Sequence, residues 1–163
     1  MKTLKITFVL LLIATVTFAQ KSPKKQATGK IGEVTATIDY SAPSVKDRVI
    51  WGELVKYDQI WRAGANENTT VSFDKDVKIT GKTIPAGKYG LFVIPTKGNE
   101  WTVVLSKKND AWGSKDYSES NDLLRFTVNT KATVENKEEM TFDVVNNGIQ
   151  FNWEKIQFFI EVE

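Results

Sequence analysis

From Val34 to Tyr40 the chain alternates one for one, with Val34, Ala36, Ile38 and Tyr40 against Thr35, Thr37 and Asp39. A period of two is that of a strand with one buried face. The pattern returns at Val71 and Phe73, at Trp101, Val103 and Leu105, at Leu124, Phe126 and Val128, and at Ile156, Phe158, Ile160 and Val162. Residues 140–145 and 149–153 read as strands flanking Asn146-Asn147-Gly148. Asn-Gly favours a hairpin because both residues tolerate positive φ.

Two segments depart from alternation. Residues 89–94 are apolar on both faces, as in a central strand covered on two sides, and Pro95 stops them. The Lys97-Gly98-Asn99 link predicts a hairpin with the strand after it. Residues 48–61 fit neither period, and Gly52 interrupts any helix. A short strand followed by a crossing loop anchored by its tryptophans is expected there. Residues 77–80 read as a strand joined to the one at 69–73 through a hairpin-like Asp74-Lys75-Asp76. Residues 107–121 form a polar excursion around Trp112, Gly113 and Tyr117.

Nine or ten short strands, with turn signals between them and no helical period, predict an all-β fold: an antiparallel β-sandwich or jelly roll. A closed barrel, with the first and last strands paired, is the alternative. The 163 residues suffice for one domain with its own core.

The N-terminal pattern is of another kind. Lys2 and Lys5 precede an apolar run over residues 6–18, and Thr17 and Ala19 place small residues at a cleavage site. That is the layout of a signal peptide over residues 1–19, too short for a membrane span of about 20 residues. Residues 20–29, polar and basic with Pro23 and Gly29, read as a flexible lead, and residues 30–163 as a single β-rich domain. The expectation is an exported chain, periplasmic or extracellular, with no transmembrane helix after cleavage.

Cleavage changes the charge. The formal +2 comes from 22 basic and 20 acidic residues, and losing Lys2 and Lys5 leaves 20 against 20. A chain without net positive charge lacks the electrostatic footprint of a nucleic-acid binder. The sequence contains neither histidine nor cysteine. Disulfides, Ser-His-Asp and Cys-His nucleophile systems and Cys/His zinc sites are therefore excluded. Asp74 with Asp76, and Asn109 with Asp110, offer oxygen ligands without the glycine and distal glutamate of a calcium loop. Neither a metal nor a cofactor is expected.

One polar cluster stands out, Trp61-Arg62-Ala63-Gly64-Ala65-Asn66-Glu67-Asn68. Arg62, Asn66 and Glu67 are suited to charge-assisted binding of a polar ligand beside the Trp61 ring. The competing reading pairs Arg62 with Glu67 as a structural bridge, with Gly64 and Asn66 serving the turn. Trp112, next to Gly113, is the tryptophan expected to be exposed, either as a stacking surface or as a loop anchor.

Three runs carry a resemblance: YSAPSVKDRVIWGELVKYDQIWRAGANENTTVSF, IPAGKYGLFVIP, and EWTVVLSK followed by AWG. From about Gly32 to its end the chain resembles the bacterial secreted family called domain of unknown function 2911 (DUF2911). The resemblance implies a compact extracytoplasmic β domain and brings no established activity. The function expected is thus a non-catalytic binding or envelope-associated module, with a glycan, a peptide or an envelope protein as partner. The alternatives are a carboxylate-dependent hydrolase of a glycan or similar polar substrate, with Glu67 and either Asp110 or Glu53 as its pair, and a purely structural partner domain.

Overall fold

A computed structural model describes residues 21–163; the expected signal peptide lies outside the described residues. The described chain forms nine strands: β1 Lys24–Ile31, β2 Val34–Ser41, β3 Thr70–Phe73, β4 Val77–Ile79, β5 Lys82–Ile84, β6 Gly87–Ile94, β7 Glu100–Ser106, β8 Asp122–Val145 and β9 Gly148–Glu161. Seven of them make one sheet in the order β1-β2-β3-β6-β7-β8-β9, and β4 pairs with β5 in a separate ribbon. Every pairing is antiparallel. The fold is all-β, as the alternation predicts.

One long sheet supplies both layers by curling on itself into a nearly closed barrel-like form. The far half of β8 returns against the start of the sheet, where Val45 N donates to Glu138 O at 2.8 Å and Met140 N to Pro43 O at 3.0 Å. A Cβ on Gly29 of β1 would stand 2.9 Å from the Val144 Cβ of β8, so the two strands approach at van der Waals contact only because Gly29 has no side chain. The near-closure thus brings β1 to β8, while β9 pairs with β8 alone.

Three local expectations need correction. Residues 24–29 belong to β1 rather than to a flexible lead. Their inward side carries Lys25, paired with Glu139 of β8, and the small Ala27 and Gly29, so no hydrophobic signal marks it, and the outward Lys24 and Lys30 suit an edge strand that must not recruit another chain. β3 and β4 do not form a hairpin; the chain leaves the main sheet after Phe73 and β4 folds onto β5. Residues 46–69 hold no strand, only isolated bridges, Trp51 to Val55, Trp61 to Val93 and Glu67 to Trp112.

The two hairpins predicted from Lys97-Gly98-Asn99 and from Asn147-Gly148 are present as β6 with β7 and β8 with β9. The four segments expected around the second turn are two long strands. β8 shifts register between Ala132 and Lys137 and again before Thr141, and Glu154 opposite has φ of 53°. Such bulges bend a strand and shift the phase of its alternation, and here the inward set changes from Ile149, Phe151, Trp153 to Ile156, Phe158, Ile160.

The core is aromatic. Trp51 packs on Trp101, Trp153 and Trp61 with ring centroids 4.6, 5.6 and 5.9 Å apart, and Phe151 stacks on Phe158 at 4.5 Å. Each such pair contributes about 0.5–1.5 kcal/mol beyond its buried area. The segment over 46–69 is held by these indoles in place of a ladder. β6 is covered on both faces: Leu91 and Val93 face the core, and Phe92 lies under Tyr117 of the polar excursion with centroids 5.0 Å apart.

Candidate functional site

The outer face of the sheet carries a polar row across four strands. Gln26 of β1, Asp39 of β2, Thr70 of β3 and Gly90 of β6 are register partners in turn. Alternation places Thr35, Thr37 and Asp39 on this side because Ala36, Ile38 and Tyr40 fill the core. The segments 61–69 and 107–113 close over the row from one end.

Those two segments are tied to each other. Asn68 N donates to Ala111 O and Gly113 N to Asn66 O, both at 3.0 Å, which sets Glu67 directly opposite Trp112. Gly90 makes room beneath them: a Cβ there would meet Lys108 O at 2.4 Å and Asn68 Oδ1 at 2.5 Å. Asn68 Nδ2 in turn donates to Leu91 O at 3.3 Å.

Two adjoining clefts lie along the row. One, about 440 Å³, runs past Lys24, Lys25, Gln26, Ser41 and Glu67. The other, about 310 Å³, is bounded by Thr70, Asn109, Asp110 and Trp112. Asp39, Glu67, Asn68 and Lys88 line both, so the two form one groove.

Each carboxylate of the groove has an ammonium partner: Glu67 with Lys24 at 2.9 Å, Asp39 with Lys88 at 3.3 Å and Asp110 with Lys108 at 3.0 Å. The hydrogen bond from Lys24, helped by its own backbone amide, holds the Glu67 carboxyl below the usual carboxylate range. Lys108 does the same for Asp110. Gln26 Nε2 adds a 2.6 Å bond to Asp39.

The structure brings together Asn66, Glu67 and Trp112, sends Trp61 to the core and turns Arg62 toward Gly113, away from Glu67. Trp112 is 58% exposed, with the Lys21 ammonium 5.1 Å from its ring centroid. Asn66 Nδ2 reaches Ser22 O at 3.3 Å. Trp61 is buried in the core, its Nε1 donating to Gly64 O at 3.1 Å, so its ring presents no face to a ligand. Arg62 forms no ion pair with Glu67. Its guanidinium packs toward Gly113, its Nε is buried without a hydrogen-bond partner, and burial lowers its pKa.

Sequence reasoning missed Lys24, Asp39, Thr70 and Lys88. Asp39 and Thr70 sit at outward positions of strands, which says they face outward and not what they face. Lys24 was hidden by the reading of its segment as a lead. Among the described residues no cluster of carboxylates has the arrangement of a metal centre.

Fold and groove together define an antiparallel β domain with an open polar groove on the outer face of its curled sheet. The chain belongs to the family described as protein of unknown function (DUF2911), whose model matches residues 22–162. No curated protein and no solved structure matches it.

Proposed function

We propose that this protein is an exported, non-catalytic binding domain that holds a polar ligand in the groove between the outer face of the sheet and the Trp112 segment. The observation that carries this reading is the state of the groove's carboxylates. Glu67 and Asp110 each have an ammonium within hydrogen-bond reach, Lys24 at 2.9 Å and Lys108 at 3.0 Å, which favours the ionised carboxylate in both. Glycoside hydrolysis needs one carboxyl kept protonated as an acid beside one that is ionised. A pair that is ionised together supplies acceptors and no acid. Glu53, the other partner considered, is paired with Lys56 at 3.7 Å in the 46–58 segment and does not line the groove. Export rests on the pattern of residues 1–19 and predicts a mature chain beginning at Gln20, which intact mass after expression in a Gram-negative host measures.

The test pairs binding with turnover. The mature protein is titrated by calorimetry with neutral and charged oligosaccharides and with peptides, and each mixture is then assayed for cleavage. Asp39→Ala combined with Lys88→Ala removes both members of one groove ion pair without leaving a lone charge. The expected outcome is a ligand that binds the native protein, binds the double variant at least several-fold less well and is recovered intact. Cleavage dependent on Glu67 or Asp110 would replace this reading with the hydrolase; no binding from any class would leave the structural partner domain.

A further inference from the structure

We infer that the groove ligand is a neutral saccharide chain, stacked on Trp112 and hydrogen-bonded along the row from Asp39 to Thr70. This rests on the binding reading above and adds the ligand's chemistry. Four features of the groove converge on it.

The first is charge. The residues lining the two clefts include three lysines, Lys24, Lys25 and Lys88, and three carboxylates, Asp39, Glu67 and Asp110. Their formal charges cancel, and each carboxylate already has its cation. A basic peptide would have to break a pair to gain one, and a phosphate or polyuronate would find, among the described residues, only the Lys21 ammonium, over the Trp112 ring, outside the pairs, whereas a neutral ligand leaves the pairs in place.

The second is the floor. Asn68 and Thr70 are each more than nine-tenths buried, both line the cleft beside Trp112, and Asn68 Oδ1 and Thr70 Oγ1 have no hydrogen-bond partner in the protein. A buried polar atom left unpaired costs free energy; Asn68 Oδ1 is enclosed against Gly90, and the Thr70 hydroxyl, between Asp39 and Gly90 in the row, is the one that a ligand in the cleft reaches once its cover shifts. The threonine hydroxyl donates or accepts, the carboxylates accept and the lysines donate. Only a ligand dense in groups that do both fits such a mixed set, and sugar hydroxyls are groups of that kind.

The third is the indole. Trp112 offers an apolar ring at the edge of an otherwise polar cleft, the complement of a pyranose whose C–H face is apolar and whose rim is hydroxylated. The fourth is the backbone. The groove lies on the face of β1, β2, β3 and β6, and of these only β1, at its rim, has a free edge, so over β2, β3 and β6 the peptide groups are committed to the ladder. Strand addition, the usual way to hold an extended peptide, needs a free edge. The two clefts adjoin, and their volumes of about 440 and 310 Å³ leave room for more than one sugar unit.

The probes are neutral hexasaccharides of glucose, xylose, mannose and N-acetylglucosamine, a hexagalacturonate and a set of extended peptides, titrated by calorimetry into the mature protein. At least one neutral hexasaccharide is expected to bind, with Kd changing less than about twofold between about 0.05 and 0.5 M salt, because no charge pairing is screened. Trp112→Ala is expected to weaken that binding about tenfold or more with the melting temperature unchanged, and Thr70→Val to weaken it several-fold. Lys21→Ala, which frees the ring of its ammonium, should bind as well or better.

Binding of peptide or hexagalacturonate without any neutral hexasaccharide would overturn the saccharide assignment and leave the binding reading standing. A neutral sugar whose affinity ignores Trp112→Ala, or is lost in Lys21→Ala, would also overturn it. No binding by any probe removes both.

Discussion

The Lys24 ammonium stands 2.9 Å from Glu67 Oε1, and Ser41 Oγ lies 3.4 Å from the other oxygen of the same carboxylate. Lys24 opens the edge strand β1, whereas Glu67 belongs to the loop that faces Trp112, so the pair fastens the N-terminal strand to the groove. Both side chains are substantially exposed, and water and salt screen their attraction. The contact orients Glu67 more than it stabilises the fold.

A chain beginning at Lys30 is expected to melt several degrees below one beginning at Gln20. It would lose most of the ladder between Lys24 and Ile31, the Lys24 counterion and the contact of Gly29 with Val144. Thermal unfolding of the two chains decides it. Equal melting temperatures would mean that β1 contributes nothing to the folded state.

Glu67 should titrate below an ordinary glutamate, and Lys24→Ala should move it back up. Because its folded-state pKa is depressed, its contribution is present above the unfolded value near 4.5 and is lost as pH falls through the folded value. Carboxyl shifts followed by NMR from pH 7 to pH 2 measure this directly. In Glu67→Gln the part of acid destabilisation that belongs to this carboxylate should vanish, leaving stability at neutral pH nearly unchanged. A Glu67 pKa that ignores Lys24→Ala would show that the pair does not form in solution.

Phe92→Ala should cost about 3–5 kcal/mol in denaturant unfolding, the range for truncating a buried aromatic ring. Phe92 points away from the tryptophan core, and its burial depends on the cover of Tyr117, which Asp122 and Arg125 hold in place. Burial and the hydrogen bond to Asp122 push the Tyr117 hydroxyl up to about 12. A loss under about 1 kcal/mol would mean that the 107–121 excursion leaves this face open.

Gly90→Ala should be destabilising by about 1–3 kcal/mol or more, because the new methyl meets a backbone carbonyl, Lys108 O, as well as the Asn68 side chain. Two-state unfolding measures the cost. Since Gly90 lies under the segment carrying Trp112, the indole emission should also change. A neutral substitution would show that the 107–113 segment is not seated on β6.

The elements whose signals are local were legible along the chain. One-for-one alternation marked β2, β3 and β7, a run apolar on both faces marked β6, and turn residues placed two hairpins. An exposed tryptophan beside Gly113 was legible because a polar segment has no apolar partner to bury it. The tertiary structure alone decided the rest. β1 has no hydrophobic stripe, since Lys25 pairs with Glu139 and Ala27 and Gly29 are small where the strand meets β8, and closeness between distant strands leaves no trace in composition. Bulges in β8 and β9 hid two continuous strands behind a change of phase. Trp61 and Glu67 share a loop in sequence, yet one ring goes to the core and one carboxylate to the groove. Counterions are chosen by distance in the folded chain, and Glu67 pairs with Lys24 because the curled sheet brings the edge strand there, while Arg62, much nearer in sequence, is turned toward Gly113.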